Sequence, residues 1–169
     1  MSRRYRSADG QFEVLLGRRP LTAVRFASAL AGARETGGVL IGEYDSNRVA
    51  VVSAVTWASA PSNAGPSWFH RPAADTQERL DREWAMPRRR YYLGEWHLHP
   101  VGPPRPSCQD FDQMTEIAAD PEYRCPEPIL VVEARRGPWP RRTVWVVPRD
   151  RDPVVLFPMG DTGSDGFKT

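Results

Sequence analysis

Apolar residues recur along the chain at spacings that predict both helices and strands. The clearest helical spacing begins after Pro20 and continues to about Arg34. A helix is expected to begin at Pro20, because proline is well tolerated in the first turn of a helix. The expected buried side of this helix is formed by Leu21, Val24, Ala27, Leu30 and Ala31. The residues expected to end the helix are Thr36, Gly37 and Gly38. Two further helices are predicted, at 71–86 and 107–119.

Runs rich in β-branched and aromatic residues predict seven strands. These strands are expected at 11–16, 39–44, 49–57, 91–97, 129–133, 143–147 and 154–157. Such a mixture of strands and helices predicts an α/β or α+β sandwich built around one sheet.

The length of 169 residues suits one domain, which we place at 11–158. Residues 1–10 are polar and are expected to be a flexible N-terminus. Residues 159–169 are small and polar and are expected to be a flexible C-terminal tail. A long loop is expected at 58–70, where Pro, Ser, Gly and Ala dominate.

Composition and charge favour an ordinary globular protein with neither a nucleic-acid nor a membrane partner. Hydrophobic residues make up 40% of the chain, charged residues 26%, and the net charge is only +2. No apolar stretch approaches the roughly 20 residues that cross a bilayer, and no signal peptide is visible. Because Cys108 and Cys125 are too few for a disulfide framework, we expect a reducing, cytoplasmic setting.

The residues that carry chemistry lie between positions 97 and 110. His97 and His99 alternate on a predicted strand, so both imidazoles leave the same face. Ser107 and Asp110 are three apart on a predicted helix and share a face of it. Two imidazoles and a carboxylate are typical ligands of a catalytic zinc, which keeps a fourth position for water. Each pair taken alone has a simpler interpretation. His97 and His99 could be a chance His-x-His, and Ser107 with Asp110 could be a helix capping box.

The combined pattern resembles the JAB1/MPN/Mov34 (JAMM) metalloproteases, and in particular their prokaryotic JAB branch. The residues that carry the resemblance are Glu35 with Gly37-Gly38-Val39-Leu40-Ile41-Gly42, Gly94-Glu95-Trp96-His97, His99-Pro100 and Ser107-x-x-Asp110. The likeness extends from about residue 34 to about residue 147. Leu98 departs from the family, which has Ser or Thr there, but its side chain is expected to point away from the metal face.

The resemblance implies roles for five residues. His97, His99 and Asp110 match the zinc ligands, and Glu35 matches the general base that activates the attacking water. Ser107 matches the donor to the developing oxyanion and can also cap its helix. The implied fold is a single MPN/JAB domain whose mixed β-sheet is flanked by helices in a cytidine-deaminase-like sandwich.

The implied activity is that of a bacterial isopeptidase or peptidase. Its substrate would be a ubiquitin-like or otherwise conjugated protein, as in bacterial ubiquitin-like systems or CBASS anti-phage operons. One alternative is a non-catalytic MPN scaffold, although such scaffolds typically lack a metal ligand. Another is a zinc hydrolase or deaminase of small molecules, but the His-x-Glu and Cys-x-x-Cys spacings of deaminases are absent from the sequence. The oligomeric state stays open.

Four other residues receive simpler interpretations. His70 is expected to be a surface residue, and Cys108 a small packing residue. Trp68 and Phe69 fit either the wall of a substrate groove or a lid on the core.

Overall fold

The computed structural model describes residues 1–57, 73–135 and 141–160. Within them lie eight strands: β1 (Arg3–Ser7), β2 (Glu13–Leu16), β3 (Thr36–Tyr44), β4 (Ala50–Val55), β5 (Tyr91–His99), β6 (Ile129–Ala134), β7 (Arg141–Val146) and β8 (Val154–Pro158). The helices of the same ranges are α1 (Arg18–Ala31), α2 (Ala73–Trp84) and α3 (Cys108–Ala119). No helix in these ranges has the length and apolar character needed to span a bilayer.

The strands form one mixed sheet that closes on itself in the order β1-β2-β4-β3-β5-β6-β7-β8. The pairs β2–β4 and β5–β6 are parallel, and the other six pairs are antiparallel. The expected mixture of helices with a mixed sheet is confirmed. The sheet closes into a barrel, which was not predicted but does not conflict with the expected sandwich, because β1 pairs with both β2 and β8 and leaves no free sheet edge there.

The N-terminus is the clearest difference from the sequence analysis. Residues 1–10 were expected to be flexible, yet Arg3–Ser7 is a strand. Its buried residues, Tyr5 and Ser7, alternate with exposed arginines, which is the period-two pattern of a half-buried strand. Because the segment is polar overall, its composition does not identify it as a strand, and only its pairing with β2 and β8 does. The flexible tail expected at 159–169 lies outside the described residues from position 161 onward.

Helix α1 covers the barrel interior, and helix α3 packs against the outside of the sheet. Leu21, Val24 and Ala27 of α1 join the interior core, as their spacing predicted. Leu30, expected on the same side, is 63% exposed. The helix ends earlier than expected, at Gly32 with φ of 61°, so Thr36-Gly37-Gly38 begins β3 and does not end the helix. On the outer side, residues of α3 join a second core with residues of β3, β5 and β6.

An ion pair lies inside the barrel, on the face of the sheet opposite the predicted metal site. Glu133 of β6 is 2% exposed and accepts hydrogen bonds from Arg142 of β7. Burial raises the pKa of Glu133, and the guanidinium of Arg142 opposes that rise. The paired charges stabilise each other where neither is solvated.

Two glycines let the central strands approach closely. A Cβ at Gly38 of β3 would lie 2.0 Å from the carbonyl oxygen of Thr56. A Cβ at Gly94 of β5 would lie 1.9 Å from the carbonyl oxygen of Ile129, and Gly94 has a φ of 144°. Gly94 therefore fixes the contact between β5 and β6 for steric and conformational reasons.

We expect Gly94→Ala to lower the free energy of unfolding by about 2 kcal/mol or more, because it adds backbone strain to a steric clash. Thermal denaturation measures this as a lower midpoint. Gly160→Ala is the matched control, because nothing lies within 4 Å of a Cβ at that position. Equal midpoints for the two variants would contradict the close approach.

Candidate metal centre

The two histidines lie at the end of β5, which is paired along both edges. His97 is level with Gly37 of β3 and with Val132 of β6. The strand was predicted to end at His97 and continues to His99, so both imidazoles lie on one face of the sheet. His97 is buried and His99 is partly exposed. The two histidines therefore lie where a strand that is paired along both edges reaches the protein surface.

Asp110 reaches the histidines from the first turn of α3. Ser107 caps this helix, and its hydroxyl oxygen accepts from the backbone N–H of Asp110 at 3.1 Å. In return, Oδ2 of Asp110 accepts from the backbone N–H of Ser107 at 2.6 Å and from its hydroxyl at 2.8 Å. The predicted capping box is confirmed, and it fixes the direction in which the Asp110 carboxylate points.

The structure brings His97, His99 and Asp110 together. One donor atom from each lies within 4.8 Å of the other two. Oδ1 of Asp110 is 2.9 Å from Nδ1 of His97, and Oδ2 is 3.7 Å from Nε2 of His99. Two imidazole nitrogens and a carboxylate oxygen form a donor set that suits zinc. These three residues fit a metal ion.

The charges around His97 also favour a cation. Burial lowers the pKa of His97, but bonds to Asp110 and to Glu95 outweigh burial and raise this pKa to about 9. Burial likewise raises the pKa of Asp110, but its bonds to His97 and Ser107 hold it well below its usual value. Two carboxylates thus favour positive charge at this point of the structure.

Glu35 lies immediately before β3 and is exposed. In the β3–β5 register, Thr36 is level with Leu98 and Gly37 with His97. The pairing of β3 with β5 begins at Thr36, so Glu35 lies one residue before the first pair. Among the described residues, the cluster of donor atoms comprises the two histidines and Asp110 without Glu35. Glu35 therefore precedes the strand that pairs with β5, but it is not one of the clustered donors.

Glu95, which was not among the predicted site residues, also faces the cluster. Glu95 is 5% exposed, and its Oε2 lies 3.5 Å from Nε2 of His97. The same oxygen accepts from Nε2 of Gln113 at 3.1 Å. The signal was present in the sequence, because Glu95, His97 and His99 alternate on one strand and share a face.

The predictions for Leu98 and Cys108 can be compared with the structure, and those for three residues of the long loop cannot. Leu98 is 1% exposed within the barrel interior, which confirms that it points away from the histidine face. Cys108 is exposed, so the prediction of a packing role was wrong: it lies on the outer side of the first turn of α3. His70, Trp68 and Phe69 lie outside the described residues.

Comparison with known proteins finds a matching family and two relatives. Residues 21–147 match the family model described as prokaryotic homologs of the JAB domain. A CD-NTase/cGAS isopeptidase of Enterobacter hormaechei subsp. hoffmannii is 44% identical over 104 residues, covering 60% of this chain and 56% of that protein. A probable metalloprotease of Sinorhizobium fredii is 28% identical over 100 residues, covering 58% of this chain and 61% of that protein. This chain thus matches less than two thirds of the length of either relative.

The fold is also found in a solution structure of a protein from Desulfitobacterium hafniense. The TM-score is 0.57, with 85% of this chain and 88% of that chain covered. At 18% identity this likeness shows a shared fold alone.

Proposed function

Since this chain belongs to the family of prokaryotic homologs of the JAB domain, we propose that it is a zinc-dependent isopeptidase or peptidase. It would cleave the C-terminal linkage of a ubiquitin-like or otherwise conjugated protein. The observation that carries this proposal is the convergence of His97, His99 and Asp110 within 4.8 Å. The family implies a metal, and this donor set suits zinc.

The substrate class is supported by the relative named as an isopeptidase, which is 44% identical to this chain where the two match. We extend that activity to this chain and place it in a bacterial ubiquitin-like or anti-phage system. The alternative of a non-catalytic scaffold has less support, because all three donor residues are present and converge.

When bound, zinc would polarise the scissile carbonyl and lower the pKa of water to about 7. Glu35 would then accept a proton from the attacking water and return it to the leaving amine. Its exposure and its position one residue before β3 support this role, because an exposed carboxylate is open to both water and substrate.

Ser107 has two roles that use different parts of its hydroxyl group. The oxygen lone pair accepts from the backbone N–H of Asp110, which caps α3. The single hydroxyl proton is directed to the Asp110 carboxylate here, at an oxygen–oxygen distance of 2.8 Å. Rotation of that proton toward the substrate would stabilise a developing oxyanion while the cap remains.

We expect the protein to bind about one equivalent of zinc, because the three donors converge at one point and would leave a position for water on a four-coordinate zinc. His97→Ala combined with His99→Ala should abolish binding, as measured by metal analysis after dialysis. His70→Ala is the matched control, because it removes the third of the three histidines. Unchanged zinc content in the double variant would refute the assigned ligands.

We expect Glu35→Gln to retain zinc while hydrolysis of a conjugated substrate falls by about 10²–10⁴, the usual contribution of a general base. Glu116→Gln, which neutralises an exposed carboxylate on α3, is the control and should cleave at the wild-type rate. Mass spectrometry measures release of the C-terminal tail of the substrate. Enzyme treated with a metal chelator gives the background rate. Near wild-type cleavage by Glu35→Gln would require a different base.

We expect Ser107→Ala to lower turnover by about 10²–10³, as the loss of one oxyanion donor does. The same change should cost about 1 kcal/mol of stability through the lost cap. Ser107→Gly separates the two effects, because glycine is a tolerable cap that costs only a few tenths of a kcal/mol. It should therefore lose turnover while keeping most of its thermal stability. A Ser107→Gly enzyme with full turnover would leave Ser107 only its capping role.

A further inference from the structure

Glu95 is a buried carboxylate that faces the candidate metal centre from within β5. Its Oε1 accepts from the hydroxyl of Tyr92 at 3.4 Å, and its Oε2 accepts from Gln113 at 3.1 Å. Burying a carboxylate is costly unless polar partners hold it, so these contacts fix where the group lies. Glu95 also faces His97, whose Nε2 is 3.5 Å from Oε2.

The ring of His97 lies between two carboxylates, one at each nitrogen. Nδ1 is 2.9 Å from Asp110, on the side of the donor cluster, while Nε2 faces Glu95. An imidazole that binds a metal through one nitrogen carries its proton on the other. A carboxylate at that second nitrogen accepts the proton, fixes the tautomer and the ring orientation, and makes the ligand more basic.

Helix α3 supports both sides of this arrangement. Asp110 and Gln113 are three residues apart and so project from the same side of the helix. Asp110 contacts His97 directly, and Gln113 contacts it through Glu95. The position of one helix therefore sets both carboxylates around the imidazole.

We propose that Glu95 is a positioning residue for His97, and that Gln113 holds its carboxylate in place. Glu95 sets the tautomer and ring orientation with which His97 binds a divalent cation through Nδ1. This role rests on the proposed function, because it requires the metal site formed by His97, His99 and Asp110.

The test measures metal binding directly and does not depend on catalysis. Zinc affinity is determined by chelator competition, and Co²⁺ substitution reports ligand geometry through the visible absorption spectrum. Glu95→Leu, which removes the acceptor, should weaken zinc binding by about 10–100-fold and change the Co²⁺ spectrum. Glu95→Gln keeps the shape and a neutral acceptor oxygen, so its loss of affinity should be smaller but measurable.

Glu133→Gln is the matched control, because it neutralises another buried carboxylate on the opposite face of the sheet. It should lower the thermal midpoint through its lost pair with Arg142 while leaving the zinc affinity and the Co²⁺ spectrum unchanged. If Glu95→Leu does not fold, Glu95→Gln decides the question.

The outcomes separate this inference from the proposed function. A wild-type protein that binds no zinc would overturn both. Wild-type affinity and an unchanged Co²⁺ spectrum in the folded Glu95 variants would overturn the role of Glu95 alone. Equal losses of affinity in Glu95→Gln and Glu133→Gln would also overturn it, because the effect would then reflect general destabilisation.

Discussion

The chemistry of this domain depends on strand β5 being paired along both edges, to antiparallel β3 and to parallel β6. A strand held on both sides cannot slip by one residue without turning every side chain to the opposite face. Glu95, His97 and His99 therefore stay together on one face, while Leu98 stays in the barrel interior. The close contact of Gly94 with Ile129 reinforces this register.

Asp110 links that strand to helix α3 by using its two oxygens differently. Oδ1 contacts His97, and Oδ2 closes the capping box with Ser107. The helix cap and the candidate metal centre are thus one feature, and neither can move without the other. Because both sets of bonds favour the ionised form, Asp110 remains an anion despite partial burial.

The barrel holds the site rigid, and any metal chemistry would depend on the three donor residues His97, His99 and Asp110. The same fold supports unrelated activities in different proteins, so the structural likeness at 18% identity says nothing about the reaction. The family match at 21–147 and the convergence of three donor residues are the support for the proposed metallopeptidase activity. Glu35 and Ser107 are both exposed, on the segments that precede β3 and α3.

The local structure and the candidate metal ligands could be predicted from the sequence. Helical spacing located α1, the capping box located the start of α3, and alternation placed His97 and His99 on one face. These features are local, so residues a few positions apart are sufficient to define them. The folded arrangement alone shows that Arg3–Ser7 closes the sheet into a barrel, because that strand is defined by partners about ten and 150 residues away. It likewise decided that Glu95 meets Gln113, since that contact depends on how α3 packs against β5 and not on either segment alone.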